Sequence, residues 1–169
     1  MASNGRISIL LSKDLQTLLS AVRQIPKEVA AEVRKQTKAA AFPIWGEEVR
    51  GRTASRQQVS ILSDTARVAV SDSNVLLKSA AVGKTSNGVP KSLLATGTEF
   101  GGNPNKVIHS RTKAGKPYTR KQGKQFPLPR RGGYVVYPAA RDSIPRLASL
   151  WVQTTVRTIH EALEKGGVR

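Results

Sequence analysis

The side chains that most often carry catalysis are few here and badly spaced. The chain has two histidines, His109 and His160, fifty-one positions apart, and no cysteine. Thiolate nucleophiles, thiolate metal sites and disulfides are therefore excluded. Two isolated imidazoles make no metal site, and only Glu161 and Glu164 follow either at helical ligand spacing. Glu47 and Glu48 are the one adjacent acidic pair. Neighbours on a helix point in different directions, so the pair is a poor acid–base couple and reads as a solvated face. Gly83-Lys84-Thr85-Ser86 has the ending of a phosphate-binding loop, but neither the upstream glycine nor the following helix is there. The serines lack a nucleophile-elbow context. The expectation is a protein that is not an enzyme and uses no metal or cofactor.

Charge is the stronger signal. The 169 residues carry 28 Lys+Arg against 11 Asp+Glu, a net charge of +17. Residues 103–140 hold nine basic side chains and no acidic one, so about half of the excess lies in less than a quarter of the chain. The nine are Lys106, Arg111, Lys113, Lys116, Arg120, Lys121, Lys124, Arg130 and Arg131, with His109, Tyr118 and Phe126 among them. Long flexible cations neutralise phosphates without reading sequence, and aromatics between them can stack on bases. The arm 103–131 is thus a candidate DNA- or partner-facing surface, its partner either a nucleic acid or an acidic protein face.

The elements that must carry this arm follow from periodicity. Leu15, Leu18, Leu19, Val22, Ile25, Val29, Val33, Thr37, Ala40 and Ile44 recur at three- and four-residue steps, which predicts helices over 14–49. Pro26 should divide them into 14–24 and 26–41, and Pro43 should kink or end the second before a last turn at 44–49. Beyond an arginine-rich linker at 51–56, alternation at Val59, Ile61, Ala66, Val68 and Val70 predicts a hairpin, 57–62 with 65–71, and a third strand at 75–82. Residues 83–89 read as a polar loop, and 92–97 as either a short helix or a strand end. Residues 101–133 lack apolar periodicity and read as an extended or partly disordered loop arm. Residues 134–137, YVVY, read as a strand closed by Pro138. A last helix is predicted over 144–163 with Ile144, Ala148, Trp151, Thr155, Ile159 and Ala162 on one stripe. Trp45 and Trp151 are the candidate large core or interface anchors. The expected fold is α+β: N-terminal helices, a small mostly antiparallel sheet over 57–82 and 134–137 with the long basic arm, and a C-terminal helix, all in one domain spanning 1–169. No stretch approaches the roughly 20 apolar residues of a membrane span, and the run at 7–11 is too short for a signal-peptide core. A soluble protein made in the cytoplasm, without a membrane partner, is expected.

Several segments, in order along the chain, resemble one family. LLSAVRQIPKEVAAEVRKQTKAAA at 18–41, TGTEFGG at 96–102, FPLP at 126–129 and YPAARDSIPRL at 137–147 resemble the tail-completion, or minor tail component, family of long-tailed bacteriophages. The likeness includes a leucine-rich helix, a break at proline, an alanine- and lysine-rich helix, a strand motif ending in Glu-Phe-Gly, and a Pro-Ala before the closing helix. The chain departs from the family at GRTASRQQV, residues 51–59, and in the length of the basic arm. The resemblance implies a structural virion protein of the neck or tail, made in the host cytoplasm. It would form a homo-oligomeric ring around the DNA channel, with other neck and tail proteins as partners and packaged DNA met through non-specific phosphate contacts. The charge and the glycine-rich arm equally suit a basic RNA- or DNA-binding protein of ribosomal or chromatin type.

Overall fold

Pro26 has extended backbone angles (φ −52°, ψ 144°) and stands at the head of the first helix, α1, Lys27–Arg50, in a computed structural model that describes residues 26–71, 74–112 and 114–166. The helix predicted over 14–24 lies outside the described residues. Pro43 does not end α1. Pro43 and Ala39, whose carbonyl loses its N–H partner to the proline, are both on the exposed side, where solvent can reach the carbonyl. On the opposite side Ala30, Val33, Thr37, Ala41, Trp45 and Val49 are buried at steps of three and four. Packing along that stripe holds the helix through the proline.

The segment predicted as the first strand, 57–62, is helical instead. A single turn, α2, Arg56–Gln58, runs into a π turn, Val59–Ser63. The Ser55 side chain accepts from the Gln58 N–H at 3.2 Å, and Gln58 Oε1 accepts from the Ala54 N–H at 2.8 Å. This is close to a capping box, and it outweighs the short alternation that followed. Ile61 and Leu62 are both buried, which a half-buried strand does not allow. The first hairpin is therefore β1, Arg67–Val70, with β2, Val75–Lys78, paired antiparallel as Arg67↔Lys78 through Val70↔Val75. Val68 and Leu77 are opposite one another and buried, and the fully buried Trp45 donates its indole N–H to the Lys78 carbonyl at 3.1 Å.

Residues 92–97 belong to a helix, α3, Lys91–Phe100, so the TGTEFGG segment ends a helix and not a strand. The 103–131 arm is not a structureless loop. It contains a second antiparallel hairpin, β3, Val107–Arg111, with β4, Pro117–Lys121. The closing helix, α4, Val136–Gly166, starts well before residue 144 and absorbs the second half of the YVVY segment, which forms no strand. It packs antiparallel on α1. Arg52 donates to Asp142 at 2.6 Å near one end of the pair, and Arg157 and Thr158 donate to Gln36 Oε1 at 2.9 and 3.2 Å nearer the other. Arg52 also pairs with Glu48, and the two carboxylates, Asp142 first, raise its pKa further. The buried face of α4 is Ala139, Ala140, Ser143, Leu147, Trp151, Thr154, Thr155 and Thr158, rotated by about one position from the predicted stripe. Its hydroxyls fit because Ser143 and Thr155 donate to the carbonyls four residues back, at 2.6 and 2.8 Å. The architecture is α+β: helices at both ends of the described chain, two small antiparallel sheets between, and one core cluster that runs from Ala41 to Trp151.

Candidate polyanion-binding hairpin and its clamp

The β3–β4 hairpin displays most of the predicted basic residues. Pairing runs Val107↔Lys121, Ile108↔Arg120, His109↔Thr119, Ser110↔Tyr118 and Arg111↔Pro117. Residues directly opposite share a face. One face therefore carries Val107, His109, Arg111, Thr119 and Lys121, and the other Ile108, Ser110, Tyr118 and Arg120. Lys116 sits at the tip, Lys106 and Lys124 lie at the base, and every one of these cations is exposed. Lys113 lies outside the described residues. Arg130 and Arg131 belong to the return segment at the foot of α4, where the Arg130 guanidinium lies 5.2 Å from the Tyr134 ring centroid. The structure thus brings Arg111, Lys116, Arg120 and Lys121 together on one element and leaves Arg130 and Arg131 apart from it.

Some cations elsewhere in the fold are paired. Arg52, Lys35 and Arg157 each have a carboxylate partner. Among the described residues, none of the eight arm cations has one. Strand β4 is exposed along its whole length, and no hairpin residue belongs to the core cluster. Within the hairpin the Tyr118 phenol titrates below its ordinary range, because the Ser110 hydroxyl and, to a smaller extent, the Arg120 charge favour the phenolate. His109 Nδ1 lies 3.2 Å from Thr119 Oγ1.

A two-stranded hairpin is marginal alone, so its base has to be held. Backbone bonds from Gln122 to Lys106 and from Gly123 to Pro104, at 2.8 and 2.9 Å, close it. Gly102 donates to Pro127 and Arg130 to Phe100, both at 2.8 Å, and tie the return segment to the end of α3. Gly101 turns there at φ +78°, and a side chain on it would overlap the Leu128 carbonyl.

Glu99, which sequence reasoning did not single out, completes the clamp. It is buried, and its carboxylate accepts from the N–H groups of Val136 at 2.8 Å, Tyr137 at 2.9 Å and Val135 at 3.2 Å. A helix start leaves its first N–H groups without intrahelical partners. Here Glu99 takes those of Val136 and Tyr137, Pro138 has none, and the Ala139 N–H makes the first regular bond, to Val135, at 3.0 Å. The negative charge also suits the positive end of a long helix. Gly133, at φ +70°, has to lack a side chain, which would overlap that carboxylate. Phe100 packs edge-on against Tyr137 with centroids 5.0 Å apart. Glu99-Phe100-Gly101-Gly102 therefore joins α3, the foot of the basic hairpin and the start of α4. The signal for it was in the sequence: a lone acid in Glu-Phe-Gly-Gly and a proline three residues into the last helix.

The carboxylate of Glu99 is committed to backbone donors, so it is not a free acid or base. His109 and His160 are both exposed, and His160 lies 3.5 Å from Glu164 on the helix surface. Among the described residues no group of three His, Cys, Asp or Glu side chains converges as a metal site, and no helix is long and apolar enough to cross a membrane. Comparison with family models, with curated proteins and with solved structures finds no match for the chain.

Proposed function

We propose that this chain is a structural, non-catalytic assembly protein of a virus particle, acting at the head–tail junction as a neck or tail-completion component in a homo-oligomeric ring around the DNA channel. The observation that carries the reading is the β3–β4 hairpin: an ordered, exposed projection whose arginines and lysines have no acidic partner among the described residues. Charge held away from the protein's own carboxylates is available to a polyanion, and its spread over both faces and the tip suits contact with phosphates rather than recognition of one sequence.

The placement in a virion rests on the resemblance at 18–41, 96–102, 126–129 and 137–147. Three of those segments meet in space. The Glu-Phe-Gly-Gly stretch, the Phe126–Pro127 return and the beginning of α4 form the clamp that presents the hairpin. A motif set that positions a basic projection fits a ring whose channel passes DNA.

Native mass spectrometry of the purified protein, freed of nucleic acid, tests the assembly. The reading expects one discrete oligomer. A monomer at all concentrations, or one released from particles by nuclease, would instead favour a ribosomal or chromatin type of nucleic-acid binder.

A further inference from the structure

The cations of the β3–β4 hairpin are distributed round a ribbon, so no single flat surface meets them all. Arg111 and Lys121 are at opposite corners of one face, with His109 and Thr119 between them. Arg120 belongs to the other face and Lys116 to the tip. The Gln122 N–H bonds to the Lys106 carbonyl at the base, and the Thr112 N–H to the Lys116 carbonyl at the tip. The strands are therefore paired over six residue steps, a ribbon about 20 Å long. Neither strand has a further strand beside it among the described residues, and 103–140 hold no acidic side chain.

We propose that this hairpin lies as a two-stranded ribbon in the major groove of duplex DNA, with the Arg111, Thr119 and Lys121 face towards the groove floor. The inference rests on the reading of the hairpin as a DNA contact, and adds the form of DNA and the groove. The first argument is where the charge sits. A ribbon laid on the outside of a duplex turns one face to phosphates and the other to water. That placement leaves either Arg120 or both Arg111 and Lys121 without a partner. In a groove, phosphates run along both sides of the ribbon, so cations at opposite corners and on the far face all reach one. The second argument is size. The major groove, about 12 Å wide, admits a two-stranded ribbon, and the minor groove, about 6 Å wide, does not. The third is the make-up of the floor-facing side. Its centre is the Thr119 hydroxyl beside the His109 ring, with Nδ1 3.2 Å from Oγ1. A threonine hydroxyl bonds the edge of any base pair, which suits contact that ignores sequence. Val107, apolar and 50% exposed on the same face, has thymine methyl groups to meet there.

The chain has no cysteine of its own, so a single introduced thiol reports its own position. Thr119→Cys, in the full-length chain freed of nucleic acid, is mixed with duplexes carrying a thiol tether. The tether is placed on cytosine N4, in the major groove, or on guanine N2, in the minor groove. Disulfide cross-linking is expected to be several-fold greater with the N4 tether. Tyr118→Cys, on the opposite face of the ribbon, is expected to cross-link to the N4 tether several-fold less than Thr119→Cys. His109→Cys, directly across from Thr119, gives the same readout should Thr119→Cys disturb folding. Equal or greater cross-linking to the N2 tether, or equal cross-linking from Tyr118→Cys, overturns the groove assignment alone. So does a complex that forms by fluorescence anisotropy yet cross-links to neither tether. No salt-dependent binding of duplex by the wild-type chain overturns the DNA reading itself, and the groove assignment with it.

Discussion

Replacing Glu99 tests the clamp that presents the basic hairpin. Glu99→Ala removes the acceptor for the N–H groups of Val135, Val136 and Tyr137. Hydrogen bonds to a charged group each contribute about 1.5–3 kcal/mol, and a buried donor left without a partner costs about 1–3 kcal/mol. The three bonds share one carboxylate, and water entering the vacated space recovers part of the loss. A destabilisation of about 3–5 kcal/mol is therefore expected, in the upper range for single substitutions. Glu99→Gln keeps the shape but turns one oxygen into an amide NH2 facing backbone donors, so about 2–3 kcal/mol is expected. For a chain of this size each kcal/mol moves the melting temperature by about 2–4 °C. Urea unfolding followed by circular dichroism measures both variants. If either is within about 0.5 kcal/mol of wild type, the ordinary range for a surface change, Glu99 does not hold the start of α4 as described.

Trp151 is 5% exposed on the face of α4 that joins the core, so Trp151→Ala should cost about 3–5 kcal/mol in the same assay; an unchanged midpoint would place it outside the core. The Tyr118 phenol should ionise below the ordinary tyrosine range as pH rises. Ultraviolet difference titration should show that phenolate signal lost in Tyr118→Phe and moved to higher pH in Arg120→Gln, because removing the cation disfavours the anion. Limited trypsin digestion should cut first between Arg111 and Lys124, where the backbone is exposed and outside the core; earlier cleavage within α1 would contradict the packing of α1 on α4.

Helix periodicity was legible where one stripe is buried against a partner. The steps along Val33 and Thr37, and Trp151 with Thr155, predicted α1 and α4, although the buried stripes are turned by about one position. Pro43 misled, because a proline on the solvent side of a well-packed helix costs less than one on the inside. The 57–62 segment misled because Val59 and Ile61 imitate alternation over too few residues, while the decisive Ser55–Gln58 cap was local and polar. The YVVY segment has strand composition, yet its conformation is set by Glu99, 36 residues earlier, a tertiary contact that no local window contains. The nine basic residues of the arm were legible as a charge cluster from composition alone. Their division between a hairpin and the foot of α4 was not, since a mostly exposed hairpin buries too little apolar surface to leave a hydrophobic pattern.

The central claim is that the hairpin is an electrostatic contact for a polyanion, indifferent to sequence. Fluorescence anisotropy with random-sequence duplex DNA over a range of salt concentrations tests it most directly. Each phosphate neutralised contributes about 0.9 to the slope of log affinity against log salt. Changing Lys113, Lys116, Arg120, Lys121 and Lys124 to Gln should weaken binding and flatten that slope by up to about 4.5, with the fold intact. Arginine at the same positions should preserve both affinity and slope, because charge and reach are kept. A Gln variant that binds with wild-type affinity and slope would contradict the account.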